Sequence, residues 1–250
     1  MLSLYLLSME KDPEVGSRLT IEGDEAHHMA KVARHRVGER VSVTDGSGLR
    51  ATIVIESIDQ RSVTGVVEEV IRSDRHPVTL RVVQGLTKSD RAHECVELLV
   101  AAGVDEIVPW GADRSIGKWD PVESSRKWEQ WIRAAVKQTR RDRIPICAPF
   151  QSHLSEIISE RKKEEFVIAL HESASVTLDS ALGARWKFDD GLPARITLII
   201  GPEGGLSERE ETELDGLSIP LLRLGTPVFR SAHAGAIALS ALQASFSLWR

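Results

Sequence analysis

The stretch that decides the fold is residues 195–243. Its segments, in order, are RITLII (195–200), GPEGG (201–205), IPLLRL (219–224), GTPVFR (225–230) and SAHAGAIALSALQ (231–243). Two short apolar segments each run into a loop of glycine and proline, and a helix rich in small residues follows. Open α/β sheets bind ligands at the carboxyl ends of parallel strands, where such loops lie. The sequence therefore predicts a cofactor pocket formed by these loops.

The composition is that of a globular protein. Its 250 residues are enough for one large domain or two smaller ones, and 42% of them are hydrophobic and 28% charged. No uninterrupted apolar run approaches the length of a membrane helix, and residues 1–10 do not resemble a signal peptide. Cys95 and Cys147 are far apart and lack metal or redox spacing, so we expect buried thiols in a reducing compartment. These features predict a cytoplasmic protein with no membrane partner and no metal.

The charges are unevenly distributed along the chain. The net charge of −5 argues against a protein that coats nucleic acid over its whole surface. Basic residues nevertheless gather in residues 26–50 and 114–143, whereas acidic residues concentrate in residues 203–215. This segregation favours a local surface for a polyanion, with an ordinary solvated basic face as the alternative.

Residues 1–73 read as a small β-domain. β-Branched residues recur in partial alternation at 41–43, 51–58 and 62–70, and a helical stretch surrounds His27 and His28. We expect a small barrel with one helix. Pro77 interrupts the pattern, so the domain boundary is placed at residues 74–77.

Residues 77–250 alternate strand, loop and helix. Near-continuous apolar strands alternating with helices predict an α/β domain whose mostly parallel sheet is covered on both faces. Gly103 is placed to end the first helix in the left-handed conformation. The expected strands are 79–83, 105–109, 166–170, 195–200 and 219–224, and the expected helices are 92–102 and 121–139.

The GPEGG loop does not have the pattern of a phosphate loop. It matches neither the Walker nor the dinucleotide fingerprint, which disfavours a nucleotide-dependent oxidoreductase. Ser207 and Glu210 form a capping box, and the acidic helix start would repel phosphate. A neutral or cationic ligand fits better, although a plain glycine turn before a helix is the alternative. His171, at a neighbouring strand end, is either a catalytic base or a structural cap. The pair His27 and His28 has no further ligands that would complete a metal site.

GPEGG after a strand, then LGTPVFR and an Ala-rich final helix, resembles the SPOUT class of S-adenosylmethionine-dependent RNA methyltransferases. Within that class the chain resembles the ribosomal RNA small subunit methyltransferase E family nearly end to end. Further matching stretches are GDEAHHMAKVARHR (23–36), VGERVSVTDGSG (37–48), KSDR (88–91), AGVDEIVP (102–109), DRS (113–115) and AAVKQTRR (134–141).

The resemblance implies a PUA-like, RNA-binding β-barrel domain (residues 1–73) and a SPOUT-like methyltransferase domain (residues 77–250) with a C-terminal trefoil knot. It also implies a homodimer, S-adenosyl-L-methionine as cofactor, and 16S rRNA in the small ribosomal subunit as partner. The implied reaction is methylation of N3 of one uridine, uridine 1498 in the family. A noncatalytic ribosome-assembly factor with a vestigial pocket is the alternative.

The family's cofactor loops map onto three segments of this chain. They comprise Leu170, His171, Glu172, Ile200, Gly201, Pro202, Glu203, Gly204, Gly205, Leu222, Leu224, Gly225, Val228, Phe229, Arg230 and Ser231. The implied phosphate contacts are Lys31, Arg34, Arg36, Lys88, Arg91 and Arg114.

Arg230 is the expected catalytic residue. Uracil N3–H is a weak acid, so a guanidinium near the flanking carbonyl oxygens would stabilise the developing anion. A loop-fixing donor is the alternative role for Arg230, and Glu203, Glu172 or water remain open as the proton acceptor. The chain departs from the family pattern at Pro227 and at residues 231–233, which read Ser-Ala-His where Thr-Glu-Thr or Thr-Ser-Thr is common.

Overall fold

The computed structural model describes residues 2–159, 165–184 and 191–249. The chain forms two compact units. The first comprises Met1–Arg75 with Val136–Ile144, and the second comprises His76–Ala135 with Pro145–Arg250. Within the described ranges, no helix combines the length and apolar character needed to cross a membrane.

The first unit is built on a five-stranded sheet of order β1-β3-β4-β5-β2. Strand β1 runs parallel to β3, and the remaining pairs are antiparallel. In β4, buried and partly exposed residues alternate, because successive side chains of a strand point to opposite faces of the sheet. This alternation explains the two-residue period of apolar residues in the sequence. The strands are β1 (Leu4–Leu6), β2 (Arg18–Glu22), β3 (Arg40–Thr44), β4 (Leu49–Ile58) and β5 (Ser62–Arg72).

One short helix accompanies this sheet, as expected. Helix α1 (Gly23–His27) continues into a π-helical turn (His28–Val32). Ala26 and Met29 are buried in the apolar core of the unit, whereas His27 and His28 are exposed. The helix therefore closes the core through its apolar side.

The expected domain division has a single boundary at residues 74–77, whereas the structure groups Val136–Ile144 with the first unit. Asp142 binds Arg50 Nε at 2.5 Å, and its carbonyl accepts the Gly48 amide at 2.9 Å. Lys137 also binds Glu25 at 2.8 Å. These partners are about a hundred residues away in the chain, so no local pattern marks the segment's position.

The second unit has a six-stranded, entirely parallel sheet among the described residues, of order β11-β9-β10-β6-β7-β8. The mostly parallel α/β fold is thereby confirmed. The two-residue strand β8 was not expected, and β11 is shorter than the predicted 219–224. The strands are β6 (Thr79–Gly85), β7 (Glu106–Trp110), β8 (Ile146–Cys147), β9 (Glu165–Leu170), β10 (Arg195–Ile200) and β11 (Leu221–Leu222).

Apolar residues are buried on both faces of this sheet. One cluster includes Trp110, Leu154 and Leu214. On the other side, Gly235 lies so close to Leu99 and Val82 that an added Cβ would be 3.0 Å from Leu99. The helices are α2 (Ser89–Ala101), α3 (Glu123–Thr139), α4 (Leu154–Ser159), α5 (Leu178–Ala184), α6 (Glu208–Gly216) and α7 (Ser231–Ser245). Gly103, which follows α2, has φ +91° as predicted.

Candidate functional site

Three strand ends lie side by side in the second unit. Ile200 at the end of β10 pairs with Leu170 at the end of β9, and Leu170 pairs with Leu222 at the end of β11. The loops that follow these strands surround a cavity of about 400 Å³. This volume is within the range of small-molecule sites. The parallel sheet therefore brings together loops that are up to about 50 residues apart in the chain.

The cavity wall contains every residue expected to bind the cofactor except Gly204. These are Leu170, His171, Glu172, Ile200, Gly201, Pro202, Glu203, Gly205, Leu222, Leu224, Gly225, Val228, Phe229, Arg230 and Ser231. The wall also contains Arg223 and Pro227, which lie within the predicted loop 222–231, and four residues that the sequence did not assign to it: Arg91, Leu206, Ala232 and Ala234. The sequence could have assigned Ala232 and Ala234 to the wall, because they belong to the small-residue helix that follows the loop of residues 225–230.

The glycine loop is shaped by close backbone approach. A Cβ on Gly85, at the end of β6, would lie 2.6 Å from the Pro202 nitrogen, so only glycine fits without displacing the loop. Gly205 has φ +72°, and its amide donates to the Pro202 carbonyl at 3.0 Å. Gly204 faces away from the cavity, because its Cβ position is 3.0 Å from Arg114 Cβ.

A buried chain of hydrogen bonds joins the glycine loop to α7. The Cys95 thiol donates to Gln84 Oε1 at 3.3 Å, and Gln84 Nε2 donates to Ser231 Oγ at 2.9 Å. Ser231 Oγ in turn donates to the Gly201 carbonyl at 2.5 Å. Burial raises the pKa of the Cys95 thiol to about 12, so this thiol remains a protonated donor at neutral pH. These hydrogen bonds fix the distance between two of the three loops that surround the cavity.

The Arg114 side chain binds backbone carbonyls in and after the glycine loop without lining the cavity. Its Nη1 donates to the carbonyls of Leu206 at 2.7 Å and Gly204 at 3.2 Å. The preceding Asp113 accepts hydrogen bonds from Arg209 and from Ser207 Oγ, and these donors lower the pKa of the Asp113 carboxyl. These contacts give the Arg114 side chain a role in loop geometry, and because the residue is exposed, the phosphate contact expected from the sequence stays a prediction.

Helix α6 begins with the predicted capping box. Ser207 Oγ accepts from the Glu210 amide, and Glu210 Oε2 accepts from the Ser207 amide at 2.8 Å. The other oxygen of this buried carboxylate accepts from the Asp113 amide at 2.8 Å. Glu210 is therefore satisfied on both sides and holds the loop against the helix start.

His171 lies in the cavity wall at the end of β9. Its backbone amide donates to Leu222 at 2.9 Å, and its Nδ1 accepts from the Ser173 amide at 3.2 Å. Nε2 is 3.4 Å from Glu211 Oε1. These contacts give His171 the geometry of a strand-end cap, which is one of the two roles that the sequence left open for it.

Two arginines line the cavity near the first turns of α2 and α7. Arg230 is the N-cap residue of α7 and is exposed, with no hydrogen bond from its side chain within the described residues. Arg91 is also exposed, and its Nη1 binds Glu94 Oε2 at 2.6 Å. His233 and then Arg91 donate hydrogen bonds to Glu94 and lower the pKa of its carboxyl.

The expected RNA contacts divide between the two units. Lys31, Arg34 and Arg36 are exposed in the first unit, following α1. Lys88, Arg91 and Arg114 are exposed in the second unit. Of these six, the structure places only Arg91 in the cavity wall.

Comparisons with known proteins agree with this arrangement. Residues 74–243 match the family described as RNA methyltransferase domain, and residues 21–68 match the RNA methyltransferase PUA domain. The Ribosomal RNA small subunit methyltransferase E of Mycobacterium bovis is 34% identical over 95% of this chain and 90% of its own. The protein of the same name from Bacillus subtilis is 28% identical over 98% of each.

Two solved structures are similar over nearly the whole chain. A Ribosomal RNA small subunit methyltransferase E from Neisseria gonorrhoeae bound to S-adenosyl methionine aligns with TM-score 0.85 and 20% identity, over 98% of each chain. A putative methyltransferase from Legionella pneumophila, solved with the bound cofactor SAM, aligns with TM-score 0.82 and 27% identity, also over 98% of each. Fold, site and sequence agree: the chain belongs to the ribosomal RNA small subunit methyltransferase E family.

Proposed function

We propose that this protein transfers a methyl group from S-adenosyl-L-methionine to N3 of a uridine in 16S rRNA. The observation that carries the proposal is the in-register alignment of Leu170, Ile200 and Leu222, which places three loops around one cavity. The relatives named as ribosomal RNA methyltransferases extend over nearly the whole length of this chain.

The cavity residues fit this cofactor. Leu224, Val228 and Phe229 supply apolar wall for an adenine ring, and Val228 and Phe229 are unusually exposed for their size. The carboxylates of Glu172 and Glu203 line the same cavity and complement a cationic sulfonium. Loop amides and carbonyls provide hydrogen bonds for the adenine and ribose. The bound cofactor supplies an electrophilic methyl group, so the protein's main task is alignment.

The chain's own contribution to the chemistry is charge stabilisation. Uracil N3 becomes nucleophilic as it loses its proton, and negative charge then spreads to the flanking carbonyl oxygens. Arg230 lines the cavity and its guanidinium makes no hydrogen bond within the described residues, so it can donate to these oxygens. Glu203, Glu172 or water takes the proton, since both carboxylates line the same cavity.

RNA binding uses exposed basic residues in both units. The proposed phosphate contacts are Lys31, Arg34 and Arg36 from the PUA domain, and Lys88, Arg91 and Arg114 from the methyltransferase domain. The target base in structured RNA must be splayed out to reach the cavity. In keeping with the family resemblance, we further propose uridine 1498 as the target, a trefoil knot, a homodimer and a cytoplasmic location beside the ribosome.

The decisive experiment combines binding and product mapping. Purified protein is titrated with S-adenosylmethionine by calorimetry, then incubated with small ribosomal subunits that lack the modification. Mass spectrometry of nuclease fragments identifies the methylated nucleotide and atom. We expect saturable cofactor binding and one N3-methyluridine in 16S rRNA. RNA binding without cofactor binding would instead establish the noncatalytic assembly factor.

A further inference from the structure

A three-residue ion-pair cluster connects α2 to α7 beside the cavity. Glu94 uses both carboxylate oxygens, since Oε2 accepts from Arg91 Nη1 at 2.6 Å and Oε1 accepts from His233 Nε2 at 2.8 Å. All three side chains remain partly exposed to solvent. The carboxylate therefore serves as a bridge between one residue of the cavity wall and the first turn of the last helix.

The same helix turn holds the proposed catalytic arginine. The His233 amide donates to the Arg230 carbonyl at 2.9 Å, and the Ala234 amide donates to it at 3.0 Å. Arg91 and Arg230 both line the cavity. The bridge through Glu94 and His233 thus sets the position of the Arg91 guanidinium relative to Arg230.

Arg91 retains donors for a ligand. Only Nη1 is engaged by Glu94, and within the described part of the chain Nε and Nη2 make no hydrogen bond. A planar guanidinium with free donors at a cavity edge suits a phosphate, which it can bind through two parallel hydrogen bonds. An unrestrained arginine would lose more side-chain entropy on binding, so the Glu94 contact preorganises it.

We infer that Glu94 and His233 are positioning residues that hold Arg91 for a backbone phosphate of the RNA beside the target nucleotide. The inference rests on the proposed function and deepens it, because it assigns substrate positioning to residues that touch neither cofactor nor reacting base. It also gives a role to His233, one of the positions at which the chain departs from the family pattern.

The test compares Glu94→Gln with Glu97→Gln. Both changes remove one negative charge from α2, but Glu97 contacts His93 at 3.5 Å and does not contact Arg91. We expect Glu94→Gln to raise the dissociation constant for the RNA and its KM by about tenfold, the scale of a charge-assisted hydrogen bond. The S-adenosylmethionine dissociation constant, kcat and thermal midpoint should stay near wild type, and Glu97→Gln should match wild type throughout.

A double-mutant cycle tests whether Glu94 acts on RNA binding through Arg91. Arg91→Ala should weaken RNA binding and reduce the magnitude of its log–log salt slope by about 1, and Arg91→Ala with Glu94→Gln should be no worse. His233→Ala should weaken RNA binding, whereas His233→Gln should recover it through an amide donor.

Three results would overturn the inference: additive losses in the double variant, equal behaviour of Glu94→Gln and Glu97→Gln, or a weakened cofactor affinity in Arg91→Ala. Failure of the proposed function gives a different pattern. Wild-type protein would then bind RNA without methylating it, while the RNA dissociation constants of these variants would still test the placement of Arg91.

Discussion

Ser231 Oγ lies 2.5 Å from the carbonyl oxygen of Gly201 and donates a hydrogen bond to it. The contact joins the first residue of α7 to the first residue of the glycine loop after β10. Ser231 also accepts from Gln84, which is almost fully buried. One hydroxyl therefore connects two of the three loops around the cavity to the end of strand β6.

Ser231→Ala should weaken cofactor binding and lower stability together. The change leaves the Gln84 amide and the Gly201 carbonyl without this partner in a buried setting, at a cost of about 1–3 kcal/mol. Calorimetry with S-adenosylmethionine and thermal unfolding measure the two effects. Ser240→Ala is the matched control, because Ser240 lies on the same helix and, among the described residues, its hydroxyl bonds only the Ala236 carbonyl, at 2.9 Å. Equal behaviour of the two variants would contradict the assigned role.

Gly85→Ala should displace the glycine loop. The added methyl would be 2.6 Å from the Pro202 nitrogen and 2.8 Å from its Cδ, and backbone must move to relieve the overlap. Overpacking of this kind costs about 1–3 kcal/mol, and cofactor affinity should fall with it. Gly216→Ala adds the same methyl where, among the described residues, no atom beyond its own helix turn and chain neighbours lies within 4 Å, so it should leave affinity unchanged. Wild-type cofactor affinity in Gly85→Ala would show that the loop tolerates the shift.

Arg114→Ala should weaken cofactor binding about fivefold, although Arg114 does not line the cavity. The variant removes the donor that binds the carbonyls of Gly204 and Leu206, each worth about 1 kcal/mol at most at this exposed position. Lys88→Ala removes an exposed positive charge of the same unit and should change only RNA affinity. If Arg114→Ala weakened RNA binding and left cofactor affinity unchanged, the loop role would be contradicted and only the phosphate contact expected from the sequence would remain.

Arg230→Ala should reduce kcat about 100-fold with little change in cofactor affinity. A loss of about 100-fold in kcat is typical when one preorganised hydrogen-bond donor to a developing oxyanion is removed. Single-turnover methyl transfer to small ribosomal subunits isolates the chemical step. Arg230→Lys, which keeps the charge without the planar donor pair, should be intermediate. Unchanged turnover in the alanine variant would leave Arg230 as a loop-fixing residue.

Neither cysteine should react readily in the folded protein. Burial raises the pKa of Cys95 to about 12 and that of Cys147 to about 11, so little thiolate exists at pH 8. Iodoacetamide labelling followed by mass spectrometry should modify both residues only after denaturation. Above pH 9.0 the thiols ionise in the unfolded chain before they ionise in the folded protein. The free energy of unfolding should therefore fall as pH rises through this range. Rapid labelling of native Cys95 would contradict its burial.

The amino-acid sequence by itself determined features that depend on near neighbours. The strand 195–200, the capping box of Ser207 and Glu210, and the positive φ of Gly103 follow from short-range patterns, and the structure contains all three. The cavity wall was also predictable in large part, because parallel strands place their following loops at one edge. The identity of the cofactor that this wall binds was inferred from the family resemblance.

Only the tertiary structure decided which distant side chains meet. Gln84 and Ser231 are 147 residues apart, and Glu94 and His233 are 139 apart, so no periodicity relates them. The sequence predicted that Arg114 and residues 136–144 contribute to a basic surface, and only the structure showed that Arg114 also binds loop carbonyls and that residues 136–144 group with the first unit. Sequence patterns record local backbone preference and average burial. Pairings between remote side chains depend instead on where the packed sheet and helices bring each one.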